Sequence, residues 1–413
     1  MVAEMLQPSD RRAETLALAE AHINPARMAM LNAFGVDFVG ARAEGYKVWD
    51  LDGREFLDFD LRAGVYNLGH RHPEIVSALS DALQTADMGF ALYPGEAQTA
   101  LAKKLAASSG TDYVIFTPSG TEANDMAIRC ARRHTGKRRI ISCEQGYHGA
   151  SGLACAAGDP EFAAKFYSDY PDEFTTVPVN DADAIASELA KGDVAGVLLE
   201  PICNAAGYPA PPKDYWSIVR ALCDQHDVVL IADEIVTGLG RSGMAWGHQK
   251  HGIQPDIVVC GKGLSGGIYP ISATMVARRV AQWIPENDVS YAGTFAGGEL
   301  ACLVGSRALD LSVSEQTLAH GRYIAETFHA GLQDIASRNA VVREVRQFGL
   351  LFGLDLDREA ANWTTTLALF QKGVLAFPPV HADTVINLKP GHLVEESICA
   401  EVLQRIEDVV GAL

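Results

Sequence analysis

Between about residue 75 and residue 277 the chain alternates short, almost continuously apolar runs with longer stretches of helical periodicity. The runs Tyr113–Thr117, Arg139–Cys143, Thr175–Val179, Val194–Leu199, Val228–Ala232, Ile257–Cys260 and Ile271–Val276 are rich in β-branched residues and predict strands. Helices are predicted over Ile75–Thr85, Gln98–Ala107, Thr121–His134, Ala182–Ala190 and Tyr215–Gln225. Strands that are apolar throughout, rather than alternating, need cover on both faces. The pattern therefore predicts an α/β fold built on a mainly parallel, seven-stranded sheet between helices.

Other patterns flank this region. A helix-like stretch broken by Pro25 runs to about Phe34, and a hairpin follows: Gly45–Asp50 and Glu55–Phe59 around Asp52-Gly53. After Glu299 come a long helical stretch, a strand at Leu350–Asp355, a further helix and strand, and a last helix near Val394–Val410. The expected division is an N-terminal segment (1–74) belonging to a small domain, a large α/β domain (75–298) and a small α+β C-terminal domain (299–413).

Composition narrows the partners. Hydrophobic residues make up 48% and charged residues 21% of the 413, enough for a sizeable core. With 34 basic against 52 acidic residues the net charge is −18, which disfavours nucleic acid and anionic membrane surfaces. No apolar run is long enough to span a bilayer. Met1–Arg12 carries Glu4 and Asp10 instead of an apolar core, so the expectation is a cytoplasmic protein. The eight cysteines show no C-x-x-C pair and read as buried, reduced thiols, with no metal site expected.

Four clusters fall at the carboxyl ends of predicted strands, where open α/β sheets bind ligands. Thr117-Pro118-Ser119-Gly120-Thr121-Glu122-Ala123-Asn124 joins a strand to a helix and could form an anion site, or simply a helix cap. Gly146-Tyr147-His148-Gly149 offers an aromatic face for a flat ligand, or a loop aromatic packed on its neighbours. Asp233-Glu234 ends the apolar run from Val228; a buried acid needs a cationic partner, unless it caps a loop. In Gly261-Lys262-Gly263 a lysine can be neutralised by burial and become a nucleophile, although a surface loop is the ordinary place for a lysine. Gly238-Leu239-Gly240-Arg241-Ser242-Gly243 matches the dinucleotide fingerprint, but no strand directly precedes it and no apolar helix follows, so NAD binding is rejected.

Taken in order, Asn67-Leu68-Gly69-His70 with His72-Pro73, Ser119–Asn124, Tyr147-His148-Gly149, Asp233-Glu234-Ile235, Gly240-Arg241-Ser242-Gly243, Lys262 and Gly293-Thr294-Phe295 resemble the class III aminotransferases. These are pyridoxal-phosphate enzymes of fold type I, and the resemblance spans roughly residues 40 to 410. It implies that Lys262 holds pyridoxal 5′-phosphate as a Schiff base and then moves protons at the substrate carbon. Asp233 would pair with the pyridine nitrogen, Tyr147 and Ile235 would enclose the ring, and Glu200 matches a position near the cofactor. Ser119, Gly120 and Thr121 would bind the cofactor, the last two at its phosphate. Thr294 would reach the phosphate of a partner subunit, making the enzyme a homodimer. His148 and Arg241 would support the site. The implied reaction moves an amino group from an amine or amino acid donor to a carbonyl acceptor in two ping-pong halves.

The sequence also departs from the pattern. Relatives acting on ornithine, acetylornithine or 4-aminobutyrate clamp a carboxylate with an arginine that falls here on Asn387. The glutamate that covers that arginine falls on Ala205, and a glutamine common in the subgroup is Val236. Asparagine cannot supply a planar bidentate fork, so ornithine-type specificity is not expected. Arg62 offers a replacement clamp for an acidic substrate, or else a solvated surface charge. The alternatives within the cofactor class are an aminomutase, epimerase or decarboxylase. Outside it stands a non-catalytic α/β binding module, which would leave Lys262 and Asp233 without a joint purpose.

Overall fold

The structure, a computed structural model, describes residues 8–89, 93–284, 293–357 and 362–413; Met1–Gln7 of the N-terminal segment lie outside them. The chain opens with helices Pro8–His22 and Pro25–Ala33. Pro25 starts the second helix, where its missing N–H costs nothing, and Asn24 caps it by accepting from the Arg27 N–H at 2.9 Å. Strands β1 (Gly40–Glu44), β2 (Lys47–Asp50) and β3 (Glu55–Asp58) form an antiparallel meander, turning at Asp52-Gly53 as the sequence predicts.

The central sheet contains β4 (Tyr113–Thr117), β5 (Arg139–Cys143), β6 (Phe174–Val177), β7 (Val194–Leu199), β8 (Val229–Asp233), β9 (Ile257–Cys260) and β10 (Ser272–Val276). Its order is β4-β10-β9-β8-β7-β5-β6, seven strands as expected. All pairings are parallel except those of β10 with β4 and β9. The middle strand β8 shows why its sequence is apolar throughout. Val229 and Ile231 pack into a cluster with Ala123 and Ala127 of helix Gly120–Thr135, while Leu230 faces Tyr215 and Val219 of helix Tyr215–His226. Each fully buried aliphatic side chain of this kind contributes about 1.5–3 kcal/mol.

The C-terminal part supplies β11 (Val342–Phe348), β12 (Leu351–Leu356), β13 (Val374–Leu375) and β14 (Val385–Leu388). β11, β12 and β14 make a separate antiparallel sheet, whereas β13 pairs in parallel with β3, Val374 opposite Leu57. One apolar core accordingly joins Tyr46, Leu57 and Phe59 to Phe328, Phe352 and Val402. The two chain ends are thus packed as one body beside the central sheet. All eight cysteines are buried and free. No helix among the described residues is long and apolar enough to cross a membrane.

Candidate active site

Side chains alternate across a strand, so Asp233 emerges from β8 on the same face as Val229 and Ile231, toward helix Gly120–Thr135. That helix starts where it does because Ser119 caps it. The Ser119 hydroxyl accepts from the Glu122 N–H at 3.3 Å and donates to Glu122 Oε1 at 2.9 Å. The helix lies close on the sheet through the small side chains Ala123, Ala127 and Ala131. It thereby brings Asn124 against the strand end, where Nδ2 donates to Asp233 Oδ2 at 2.8 Å and to the His148 carbonyl at 2.7 Å. His148 Nδ1 meets the same carboxylate oxygen at 2.8 Å, and the Ile235 N–H donates to Oδ1 at 3.1 Å. A carboxylate only accepts, so Nδ1 carries the proton.

The neighbouring acid has another fate. Glu234 points to the opposite side and is satisfied by the N–H groups of Gly247 (2.8 Å) and His248 (2.7 Å) and by His248 Nδ1 (2.9 Å). It is a structural anchor.

Lys262 follows β9 in a short 3-10 turn, Lys262–Ser265, with φ 41. Left-handed backbone at a lysine is strained and occurs where the surroundings impose it. Its flanking glycines sit in crowded surroundings. A Cβ at Gly261 would meet Ser272 Oγ at 2.6 Å, and one at Gly263 would meet Asn67 Nδ2 at 2.7 Å. Burial lowers the Lys262 amine below the usual lysine value, and the Lys389 charge adds to this, against the opposing pull of Asp233, Glu200 and Asp60.

A cavity of about 150 Å³ gathers Gly120, Thr121, Tyr147, Glu200, Asp233, Ile235 and Lys262, together with His148, Gly149 and Val236. Glu200 follows β7 and is buried; desolvation, with Cys203 and Asp233 adding to it, pushes its carboxyl well above the usual range. Its Oε2 accepts from the Asn204 N–H at 3.3 Å, while Oε1 has no partner among the described residues. His148 Nε2 and Asn124 Oδ1 are likewise buried and unpartnered. The first two helical N–H groups, of Gly120 and Thr121, have no intrahelical acceptor and carry the positive end of the helix dipole. A Cβ at Gly120 would meet Ile235 Cδ1 at 2.7 Å, so a larger residue there would displace the Ile235 side chain.

This donor set fits a phosphorylated pyridine aldehyde. It offers an amine of lowered basicity, a buried carboxylate, an aromatic and an aliphatic side chain beside them, and a helix N-terminus for an anion.

The remaining sequence-derived residues lie elsewhere. Ser119 commits its hydroxyl to the helix cap and does not line the cavity. Thr294 is exposed and lines a separate, larger cavity of about 540 Å³ with Gln98, Gly297 and Glu299. Arg62 is exposed at a third, apolar cavity of about 310 Å³ that also touches Asp60 and Phe377. Asn387 is buried in β14, its Oδ1 unpartnered among the described residues. Arg241 is wholly buried and donates to the Leu350 and Pro390 carbonyls and to Asn67 Oδ1, binding the C-terminal part to the central sheet. Sequence reasoning missed the role of Asn124, although it sits in the first cluster. It also missed Lys389, whose Nζ lies 3.0 Å from Asp60 Oδ1.

The chain is similar to known proteins along nearly its whole length. Residues 32–410 match the family model described as aminotransferase class-III. An uncharacterised aminotransferase of Archaeoglobus fulgidus is 37% identical over 404 residues, covering 97% of this chain and 94% of the relative. An acetylornithine aminotransferase of Neisseria meningitidis serogroup B is 34% identical, covering 89% and 92%. Among solved structures, the acetylornithine aminotransferase of Elizabethkingia anophelis superposes with a TM-score of 0.83 at 27% identity, covering 97% of this chain and 99% of that one. The ornithine aminotransferase of Toxoplasma gondii shares the fold with a TM-score of 0.89 at 24% identity, covering 97% and 95%.

Proposed function

Because the chain belongs to the class III aminotransferases, enzymes that use pyridoxal 5′-phosphate, we propose that the cavity around Lys262 and Asp233 is where it moves an amino group from an amine or amino acid donor to a carbonyl acceptor. When bound, the cofactor supplies an electron sink for the bonds at an amine-bearing carbon. Lys262 is its attachment point. The free Lys262 amine would remove and return the proton at that carbon, and burial, by lowering its pKa, leaves more of it unprotonated for that task. Asp233, held by Asn124 and His148, would be the partner of the pyridine nitrogen. Tyr147 and Ile235 would hold the ring and Gly120 and Thr121 the phosphate, with Ser119 capping their helix. Glu200, whose carboxyl burial raises well above the usual range, lines the same cavity with Oε1 free of partners among the described residues.

The observation that carries this reading is the shared cavity of Lys262 and Asp233, which extend from adjacent parallel strands β9 and β8. The same reading makes the protein a cytoplasmic homodimer, Thr294 of one subunit completing the other's phosphate site. It divides the chain into 1–74, 75–298 and 299–413, supported by the separate sheets. Arg62 and Asn387 are its substrate contacts, and their chemistry argues against ornithine or acetylornithine as substrate.

Borohydride reduction of the holoenzyme, followed by peptide mass mapping, tests the assignment. A pyridoxyl mass on the Lys262 peptide is expected, with its loss in Lys262→Ala together with transfer to pyruvate or 2-oxoglutarate. An adduct on another lysine, or transfer that survives the substitution, overturns it.

A further inference from the structure

Lys389 is 3% exposed, and its ammonium has one partner among the described residues, Asp60 Oδ1 at 3.0 Å. An ammonium carries three donors, so this pairing leaves it under-used. Asn387, two residues earlier and on the same side of the chain by alternation, is also buried with Oδ1 unpartnered. Lys389 thus has donors to spare for an anion, whereas Asn387 Oδ1 only accepts and would pair with a donor of a ligand, not with its carboxylate.

The acid opposite is held at some cost. Leu61, Arg62 and Ala63 follow Asp60 at φ 50, 50 and 55, a left-handed turn that L side chains resist. Asp58 Oδ1 fixes it by accepting from the Leu61 N–H at 2.8 Å, and Asp60 Oδ2 by accepting from the Ala63 N–H at 3.3 Å. The Lys389 N–H donates to the Phe59 carbonyl at 2.7 Å, tying the two segments together. This turn packs on the turn that carries Lys262, where the Asn67 amide crowds Gly263. Stability alone gives little reason for the pair, since well-packed apolar residues often serve as well as a buried ion pair.

We propose that Lys389 binds the carboxylate of the substrate, and that Asp60 is the counter-ion that holds its ammonium until the carboxylate arrives. The inference rests on the aminotransferase reading and deepens it: the substrate pairs its amine or carbonyl carbon with an aliphatic carboxylate. Lys389 bridges both acids through separate N–H groups. A point charge imposes no plane, unlike an arginine fork, and so accepts a carboxylate remote from the reacting carbon. Burial aside, Lys389 is one of the charges acting on Lys262, in keeping with its place beside the site.

Pentanoate, titrated into the holoenzyme by calorimetry, tests this without knowledge of the true substrate. Saturable binding is expected, weakened about tenfold or more in Lys389→Ala and kept within about threefold in Lys389→Arg. Asp60→Asn, which frees the ammonium, tightens binding by about threefold or more. A merely structural pair would make both removals weaken binding. No binding to wild type, equal binding to Lys389→Ala, or unchanged or weaker binding to Asp60→Asn overturns the proposal. Should Lys389→Ala not fold, Asp60→Asn decides alone. Cofactor fixed on Lys262 in the same preparation separates this failure from failure of the aminotransferase assignment.

Discussion

His148 Nδ1 lies 2.8 Å from Asp233 Oδ2, with both side chains almost completely removed from solvent at 0% and 3% exposure. The imidazole thus holds the carboxylate by the oxygen that also takes the Asn124 amide, leaving Oδ1, among the described residues, to the Ile235 N–H. Asp233→Ala is expected to keep the cofactor fixed to Lys262 but to lower kcat/KM by about 100- to 1,000-fold or more, as when a preorganised charge is removed. His148→Ala acts through Asp233 and should cost less, about 10- to 100-fold. The double variant should be no worse than Asp233→Ala alone, because the two residues act as one unit. Half-reaction kinetics of the three variants check this; additive losses would separate the roles.

Glu200 gives a pH dependence. Its folded carboxyl is raised well above the ordinary range, first by burial. Above about pH 4.3 the unfolded chain gives up this proton while the folded chain keeps it, so folding stability falls as pH rises through that window. Glu200→Gln removes the slope and keeps a neutral donor. The variant should melt higher than wild type near about pH 8, with little difference near about pH 4. Thermal melts of the apoproteins across that range provide the measurement, and a difference of opposite sign would mean that the fold lowers the Glu200 pKa instead of raising it.

Much of this site was legible in the sequence because its residues sit at strand ends, and strand ends can be read from apolar runs. β4, β5, β7 and β9 fall where the runs predict. β8 is shifted by one residue, since Asp233 still pairs with Val259 and so belongs to the strand. What stayed hidden depends on contacts distant in sequence. Asn124 and Asp233 meet across 109 residues, and Lys389 and Asp60 across 329. Nothing local marks a lysine before a proline as buried. β11 escaped for another reason: it is an edge strand whose Arg343, Glu344 and Arg346 carry ion pairs, so its pattern is polar where a strand reading looks for apolar residues.

Arg62 stands on the strained turn beside Asp60, exposed at the rim of the apolar cavity. If it meets an acidic donor or acceptor there, Arg62→Ala should raise KM for carboxylate substrates by about three- to tenfold with kcat nearly unchanged, the mark of lost uniform binding. Steady-state kinetics with several acids decide the matter, and an unchanged KM for all of them removes Arg62 from the substrate site.

Thr294 tests the dimer. Within its own chain it lines a different cavity from Lys262, so the proposed role at a cofactor phosphate calls on a second subunit. Thr294→Ala alone should weaken cofactor binding by about tenfold, the loss of a hydrogen bond to a charged group. Lys262→Ala alone is inactive. A mixed dimer of the two variants carries one site with an intact Lys262 facing an intact Thr294 from the partner, and one site with neither. If the hydroxyl acts across the interface, co-expressed and separately tagged variants should yield a heterodimer with wild-type cofactor affinity in half of its sites and about half the specific activity. If Thr294 served its own chain, the Lys262-bearing site would keep the weakened affinity of Thr294→Ala, and equilibrium dialysis of the doubly purified heterodimer distinguishes the two outcomes.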